Sequence, residues 1–242
     1  MTLDILAISP HPDDAELHCG GLLRKMADLG HSCGIIDLTA GEMGTRGTVQ
    51  TRTQEASDAS AILGIAERQN LNLPDAHLDQ SQSHRHSIIQ AIRTFRPQTV
   101  LIPTRNARHP DHRLTSILGQ DASFLAGLEK IESGQSPHRP QQVIYYYTHY
   151  TYRQSSPSFI VDISDQYDRK IEAIQAYKTQ FYNPDSTTPT TFISRPEFLE
   201  EIEVQNRYYG TLIGKKYGEP FIVREYLEMD DPVEYFGQRS ER

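Results

Sequence analysis

The chain opens on Leu3-Asp4-Ile5-Leu6-Ala7-Ile8, a short apolar run that stops at Ser9-Pro10 and predicts a buried strand. From Ala15 to Gly30 the apolar residues Leu17, Leu22, Leu23, Met26 and Leu29 recur near helical spacing, and Gly30 is a natural helix stop. Cys33-Gly34-Ile35-Ile36-Asp37-Leu38 predicts a second buried strand. A polar loop rich in Gly and Thr, Thr39 to Thr51, leads into a helix from about Arg52 to Leu63 that closes at Gly64. Asn70 to Leu73 predicts a short third strand, Ser83 to Phe95 a helix, and Thr99 to Ile102 a fourth strand.

Strand and helix alternate with short connections, which predicts an α/β fold of βαβ units on a mostly parallel sheet. Ligands of such sheets bind beyond the carboxyl ends of the strands. Residues just after Ile8, Leu38 and Ile102 should therefore share one crevice. The second half is less regular. It predicts a helix from His112 to about Leu128, strands at Val143 to Thr148 and Phe159 to Ile163, and helices near Gln166 to Phe181 and Glu197 to Leu212, with an exposed loop from Asn183 to Thr191. Neither a repeat nor a domain boundary interrupts the chain. A single domain over residues 1–242 is expected, with a sheet-bearing core to about residue 165 and a helical part beyond it.

With 242 residues there is length for a proper core, and 37% hydrophobic with 23% charged residues is the balance of an ordinary globular protein. No uncharged apolar run approaches the roughly 20 residues that span a bilayer. Asp4 stands where a signal peptide would carry Lys or Arg, and the two cysteines, Cys19 and Cys33, cannot build a disulfide framework; both point to the cytoplasm. A net charge of -8 disfavours nucleic acid as a partner, because no basic field is available to displace counterions from phosphates.

Two of the loops at strand ends carry chemistry. One is Pro10-His11-Pro12-Asp13-Asp14-Ala15-Glu16, and the other is Arg105-Asn106-Ala107-Arg108-His109-Pro110-Asp111-His112. His11 with Asp14, and His109 with His112, are three residues apart and can face one way in a turn. Two imidazoles and a carboxylate suffice for a catalytic metal with a position left open for water. Each loop alone has a plainer explanation: Asp13 or Asp14, and likewise Asp111, could cap the helix that follows, with Glu16 adding favourable charge to a first turn. The presence of both loops on one sheet edge favours the metal.

The pair His11-Pro12-Asp13-Asp14 and His109-Pro110-Asp111-His112 resembles the PIG-L/LmbE family of metal-dependent N-acetylglucosamine deacetylases. The stretch Asp37 to Thr48, Arg52, Leu73-Pro74-Asp75, Tyr177 to Phe181 and Tyr208-Tyr209-Gly210 are similar to the bacillithiol-biosynthesis branch, whose members deacetylate N-acetylglucosaminyl malate. His18 and Cys19 depart from the glycine and methionine of many relatives, and Ala107 replaces a frequent acidic residue. Cys19 falls inside the first predicted helix, where it reads as a packed small residue.

The resemblance implies a Rossmann-like three-layer sandwich with the metal at the carboxyl ends of the strands. It implies that His11, Asp14 and His112 hold Zn²⁺, with Fe²⁺ or another divalent metal open, since two histidines and a carboxylate also serve iron. Asp13 would act as general base, His109 would stabilise an oxyanion, and Asp111 would orient His109 and keep it charged. Glu16 could meet sugar hydroxyls or a ligand histidine. Arg52 is the first candidate for a substrate carboxylate clamp, with Arg46 and Arg108 beside it, because a guanidinium binds carboxylate bidentately. Relatives suggest a homo-oligomer, a trimer or hexamer. The aglycone could instead be inositol, a chitin disaccharide, or a thiol conjugate acting as an amidase substrate. A non-catalytic nucleotide-binding module finds no phosphate-binding glycine motif to support it.

Overall fold

The computed structural model describes residues 2–149 and 156–237. Its strands are β1 (Ile5–Ser9), β2 (Cys33–Thr39), β3 (Glu67–Leu73), β4 (Thr99–Pro103), β5 (Gln142–Tyr146), β6 (Phe159–Asp162) and β7 (Gly218–Ile222). The helices are α1 (Asp14–Asp28), α2 (Val49–Leu63), α3 (Gln82–Phe95), α4 (Pro110–Leu125), α5 (Tyr167–Gln175), α6 (Glu197–Leu212) and α7 (Pro232–Gly237). One seven-stranded sheet runs in the order β3-β2-β1-β4-β5-β7-β6. Strands β1 to β5 are parallel, and β7 runs antiparallel between β5 and β6.

Both faces of the sheet are covered, which is why its central strands read as unbroken apolar runs and not as alternating ones. Leu6, Ile8, Ile36, Leu38, Val100 and Ile102 pack with Ile88, Ile92, Leu118 and Ala122 of α3 and α4. The intervening Ala7, Ile35 and Leu101 face Ala15, Cys19, Leu22 and Leu23 of α1 on the other side. The result is the three-layer α/β sandwich that the resemblance implied, with Cys19 in the core as expected. Among the described residues no helix is long and apolar enough to cross a membrane.

Several elements differ from the sequence expectation, for physical reasons. Strand β3 begins at Glu67, three residues earlier than Asn70, because it is an edge strand whose polar residues hide no hydrophobic run. Strand β7 was not foreseen. Gly218-Glu219-Pro220 argues against a strand inside a sheet, yet Pro220 sits opposite Ile160 there. The part beyond residue 165 is therefore not purely helical. Helix α5 ends at Gln175 and not at Phe181. The Thr179 N–H and hydroxyl are taken by the Glu55 carboxylate, 2.7 and 2.8 Å away, which diverts the backbone from the helical ladder.

Helix α4 lies tight on β4 at Gly119, where a Cβ would stand 2.7 Å from Ile102 Cγ2. Gly119→Ala should gain about 1 kcal/mol of helix propensity and lose about 1–3 kcal/mol to overpacking. A lowered denaturant midpoint is expected; a raised one would show that the layers give way.

Candidate active site and metal centre

Strand β1 is flanked by β2 on one side and β4 on the other, so the connections leaving β1 and β4 diverge at their carboxyl ends and leave a crevice. His11 and Asp13 come from the first loop, Asp14 opens α1, and His109 and His112 lie at the start of α4. Pro110 suits the first turn of α4 because its missing N–H is not needed there. The cap of α4 is His109 and not Asp111: the Asp111 N–H donates to His109 Nδ1 at 3.2 Å. Asp13 likewise makes no side-chain cap bond to α1, and its backbone is left-handed, with φ 109°.

His11, His109 and His112 form a triangle of imidazoles with ring centroids 5.0 to 5.7 Å apart. Asp14 bridges two of them, with Oδ2 3.0 Å from His11 Nδ1 and Oδ1 3.2 Å from His112 Nε2. The far nitrogen of His11 meets two more carboxylates, Asp75 at 3.1 Å and Asp111 at 3.3 Å. Asp111 is thus turned onto His11 and the Ala76 N–H, and not onto His109 as expected. Because His109 Nδ1 accepts a backbone N–H, the ring proton sits on Nε2. Burial, with His11 and His112 beside it, lowers the affinity of this ring for a second proton, against Asp14 and Asp111, which raise it.

Burial alone would depress the His11 imidazole, but Asp111, Asp14 and Asp75 hold it well above its ordinary value. Burial alone would raise the Asp14 carboxyl, yet the surrounding histidines hold it well below the usual range. Asp13 is pushed up to about 8 by burial, against the pull of Arg52, with Asp14 adding to the rise. Asp13, Asp14, Asp75 and Asp111 are each 6% exposed or less. The ligand atoms of His11, Asp14 and His112 all lie within 4.8 Å of one another, as do those of His11, His109 and Asp111. His112 Nδ1 is buried without a partner. A compact set of imidazole and carboxylate donors with surplus buried negative charge fits a divalent cation.

The cavity above these groups has a volume of about 370 Å³. Its floor is His11, Asp13, Asp14 and His112; Met43 and Gly44, from the loop after β2, form one wall, as the topology predicted. Of the proposed substrate contacts, Arg108 lines the cavity, its guanidinium 4.9 Å from the Phe192 ring centroid. Arg52 lines the cavity too; it is buried, its Nη2 lies 3.1 Å from Asp13 Oδ2, and its guanidinium donates to the carbonyls of Gly41 and Pro12, while its Nε is buried without a partner. Arg46 lies outside the cavity wall and donates to Ser186 at 2.7 Å. Glu16 is fully buried away from the cavity, bound by Arg68 at 2.6 Å and the Tyr177 hydroxyl at 3.0 Å.

Sequence reasoning named Asp75 and His18 without a site role and did not single out His149, Phe192 or Phe198, though all five line the cavity. Asp75 had a signal, being an acid just past a third strand end. His18 had one too, four residues after Asp14 on the same helix; burial lowers it to about 4, and its neutral ring stacks on Tyr146. The other three arrive from distant segments and carry no local pattern.

Comparison with known proteins puts this geometry among the deacetylases. The diacetylchitobiose deacetylase of Thermococcus kodakarensis is 34% identical over 230 residues, 89% of this chain and 80% of the relative. The conserved protein TT1542 of Thermus thermophilus superimposes with a TM-score of 0.85 at 38% identity, covering 96% of this chain and 98% of that one. The chain belongs to the PIG-L family, described as GlcNAc-PI de-N-acetylase, whose model matches residues 6–123 and so spans both loops. The bacillithiol branch is a distant likeness: a probable N-acetyl-alpha-D-glucosaminyl L-malate deacetylase 2 of Bacillus cereus is 25% identical over 198 residues, 74% of this chain and 84% of the relative.

A cation entering this site must displace protons, since His11 is held protonated and Asp13 is pushed up to about 8. Metal affinity should therefore rise with pH through the neutral range, and calorimetry in buffers of different ionisation enthalpy should register proton release. A pH-independent affinity would contradict this electrostatic picture.

Proposed function

We propose that this chain is a zinc-dependent deacetylase that hydrolyses the acetamide of an N-acetylglucosamine conjugate. The reading is carried by the His11–Asp14–His112 donor set at the floor of a sugar-sized cavity, with Asp13 beside it. His11, Asp14 and His112 would hold the metal. When bound, it supplies a Lewis acid for the acetamide carbonyl and brings the pKa of a water towards ~7.

The chain's own residues supply the rest. Asp13, held by Arg52, takes a proton from the attacking water and returns it to the leaving amine, a service worth about 10²–10⁴ in rate. His109 offers its Nε2–H to the oxygen that becomes negative, as a neutral donor worth roughly 10²–10³. Asp75 and Asp111 orient His11 through its outer nitrogen. Phe192 and Phe198 give the sugar and its aglycone an apolar wall.

For the aglycone, N-acetylglucosaminyl malate is the first substrate to test, because Arg108 brings to the cavity a guanidinium with no described carboxylate partner. Diacetylchitobiose is the second, supported by the 34% identical relative and the aromatic wall. A reducing, cytoplasmic setting is part of the proposal and is supported by two free buried cysteines. So is a homo-oligomer: α6 exposes Val204, Tyr208 and Leu212 along one helical stripe, an apolar surface of the kind that self-association covers. Sedimentation analysis should show a species larger than one chain, and a monomer at all concentrations would remove that part.

Acetate release from both conjugates, with and without chelator, tests the whole. Asp13→Asn should lower kcat by about 10²–10⁴ while metal content is kept. Arg108→Gln should raise KM for the malate conjugate by roughly tenfold or more, the loss of a charge-assisted contact, and leave free N-acetylglucosamine unaffected. Silence on every acetamide would sink the deacetylase reading.

A further inference from the structure

Helix α1 is gripped from the side midway along its length. In an unbroken helix the Gly21 and Leu22 N–H groups serve the carbonyls of Leu17 and His18. Here they donate to the two oxygens of Glu219, at 2.9 and 2.7 Å. Glu219 belongs to β7 and is fully buried, and Lys170 of α5, 1% exposed, anchors it with Nζ 2.7 Å from Oε1. Glycine is required at position 21 of this stretch: a Cβ there would lie 2.7 Å from Ile163 Cδ1. A side chain inserted into the backbone ladder is a recognised cause of helix bending. The two turns on its N-terminal side, Asp14 to Gly20, carry Asp14 and His18, both of which line the cavity.

We propose that Glu219, anchored by Lys170, is a positioning residue for the metal centre: it sets the direction of the first two turns of α1 and so the placement of Asp14 against His11 and His112. This rests on the metal site of the proposed function. A buried pair that only stabilised the fold would have no reason to bond, midway along its length, the backbone of a helix that opens on a ligand.

The test is the Zn²⁺ dissociation constant of the full chain, read by competition with a chromophoric chelator, alongside the melting of the metal-free protein. Glu219→Gln keeps the shape but turns an amide NH₂ against one backbone donor. The double variant K170M/E219L removes both acceptors and leaves no charge buried unpaired. Both should melt cooperatively and bind Zn²⁺ about 10–100-fold more weakly. Asn206→Ala is the comparison: it removes the 3.1 Å bond to the Gly218 carbonyl beside Glu219. It should lower the melting temperature and leave the Zn²⁺ constant unchanged.

Wild-type affinity in both Glu219 variants, or an equal loss in Asn206→Ala, would overturn the proposal. Should the double variant not fold, Glu219→Gln decides alone. A wild-type chain that binds Zn²⁺ but cleaves no acetamide would fail as a deacetylase and still test Glu219; one that binds no metal overturns both.

Discussion

The carboxyl edge of this sheet is organised around a single electrostatic problem: four carboxylates, Asp13, Asp14, Asp75 and Asp111, are gathered out of water, three of them on His11 and the fourth on Arg52. Like charges at low dielectric repel strongly. The protein answers with imidazoles interleaved between them and with a single guanidinium, Arg52, behind Asp13. That arrangement holds charge ready for a cation and keeps the surrounding rings in defined orientations. The loop positions, the helix starts and the third strand end all converge to make it.

Below the edge, a second set of buried charges fixes the scaffold. Arg68 donates to both oxygens of Asp37, at 2.8 and 3.0 Å, and to Glu16, while Tyr177 closes the other side of Glu16. Ser9 adds its hydroxyl to Asp37. These contacts tie the ends of β1 and β2 to the edge strand β3 and to the first turn of α1. Removing Arg68 would strand two buried carboxylates, which is far costlier than its pairs are favourable. The loops thus stand on a base that resists small displacements.

Much of this was legible in the chain. The central strands announce themselves because burial on both faces leaves only apolar residues to choose from, and the His and Asp triplets stand out because each follows such a run. Roles set by three-dimensional pairing were harder to read. Glu16 and Arg52 looked available for substrate, and only the fold shows that Arg68 and Asp13 already hold them. Asp111 lies two residues from His109 in sequence, but its carboxylate turns across the crevice to His11. Strand β7 was hidden because its Gly, Glu and Pro are tolerated through long-range partners that no local window contains.

The backbone at Asp13 carries a further consequence. Its φ of 109° lies where glycine rests without penalty and an aspartate does not. The fold would be easier to build with glycine there. In the proposed function the position is a place where selection for robustness and selection for chemistry pull in opposite directions. On that reading, a lineage released from its substrate would drift at residue 13 towards a sturdier protein.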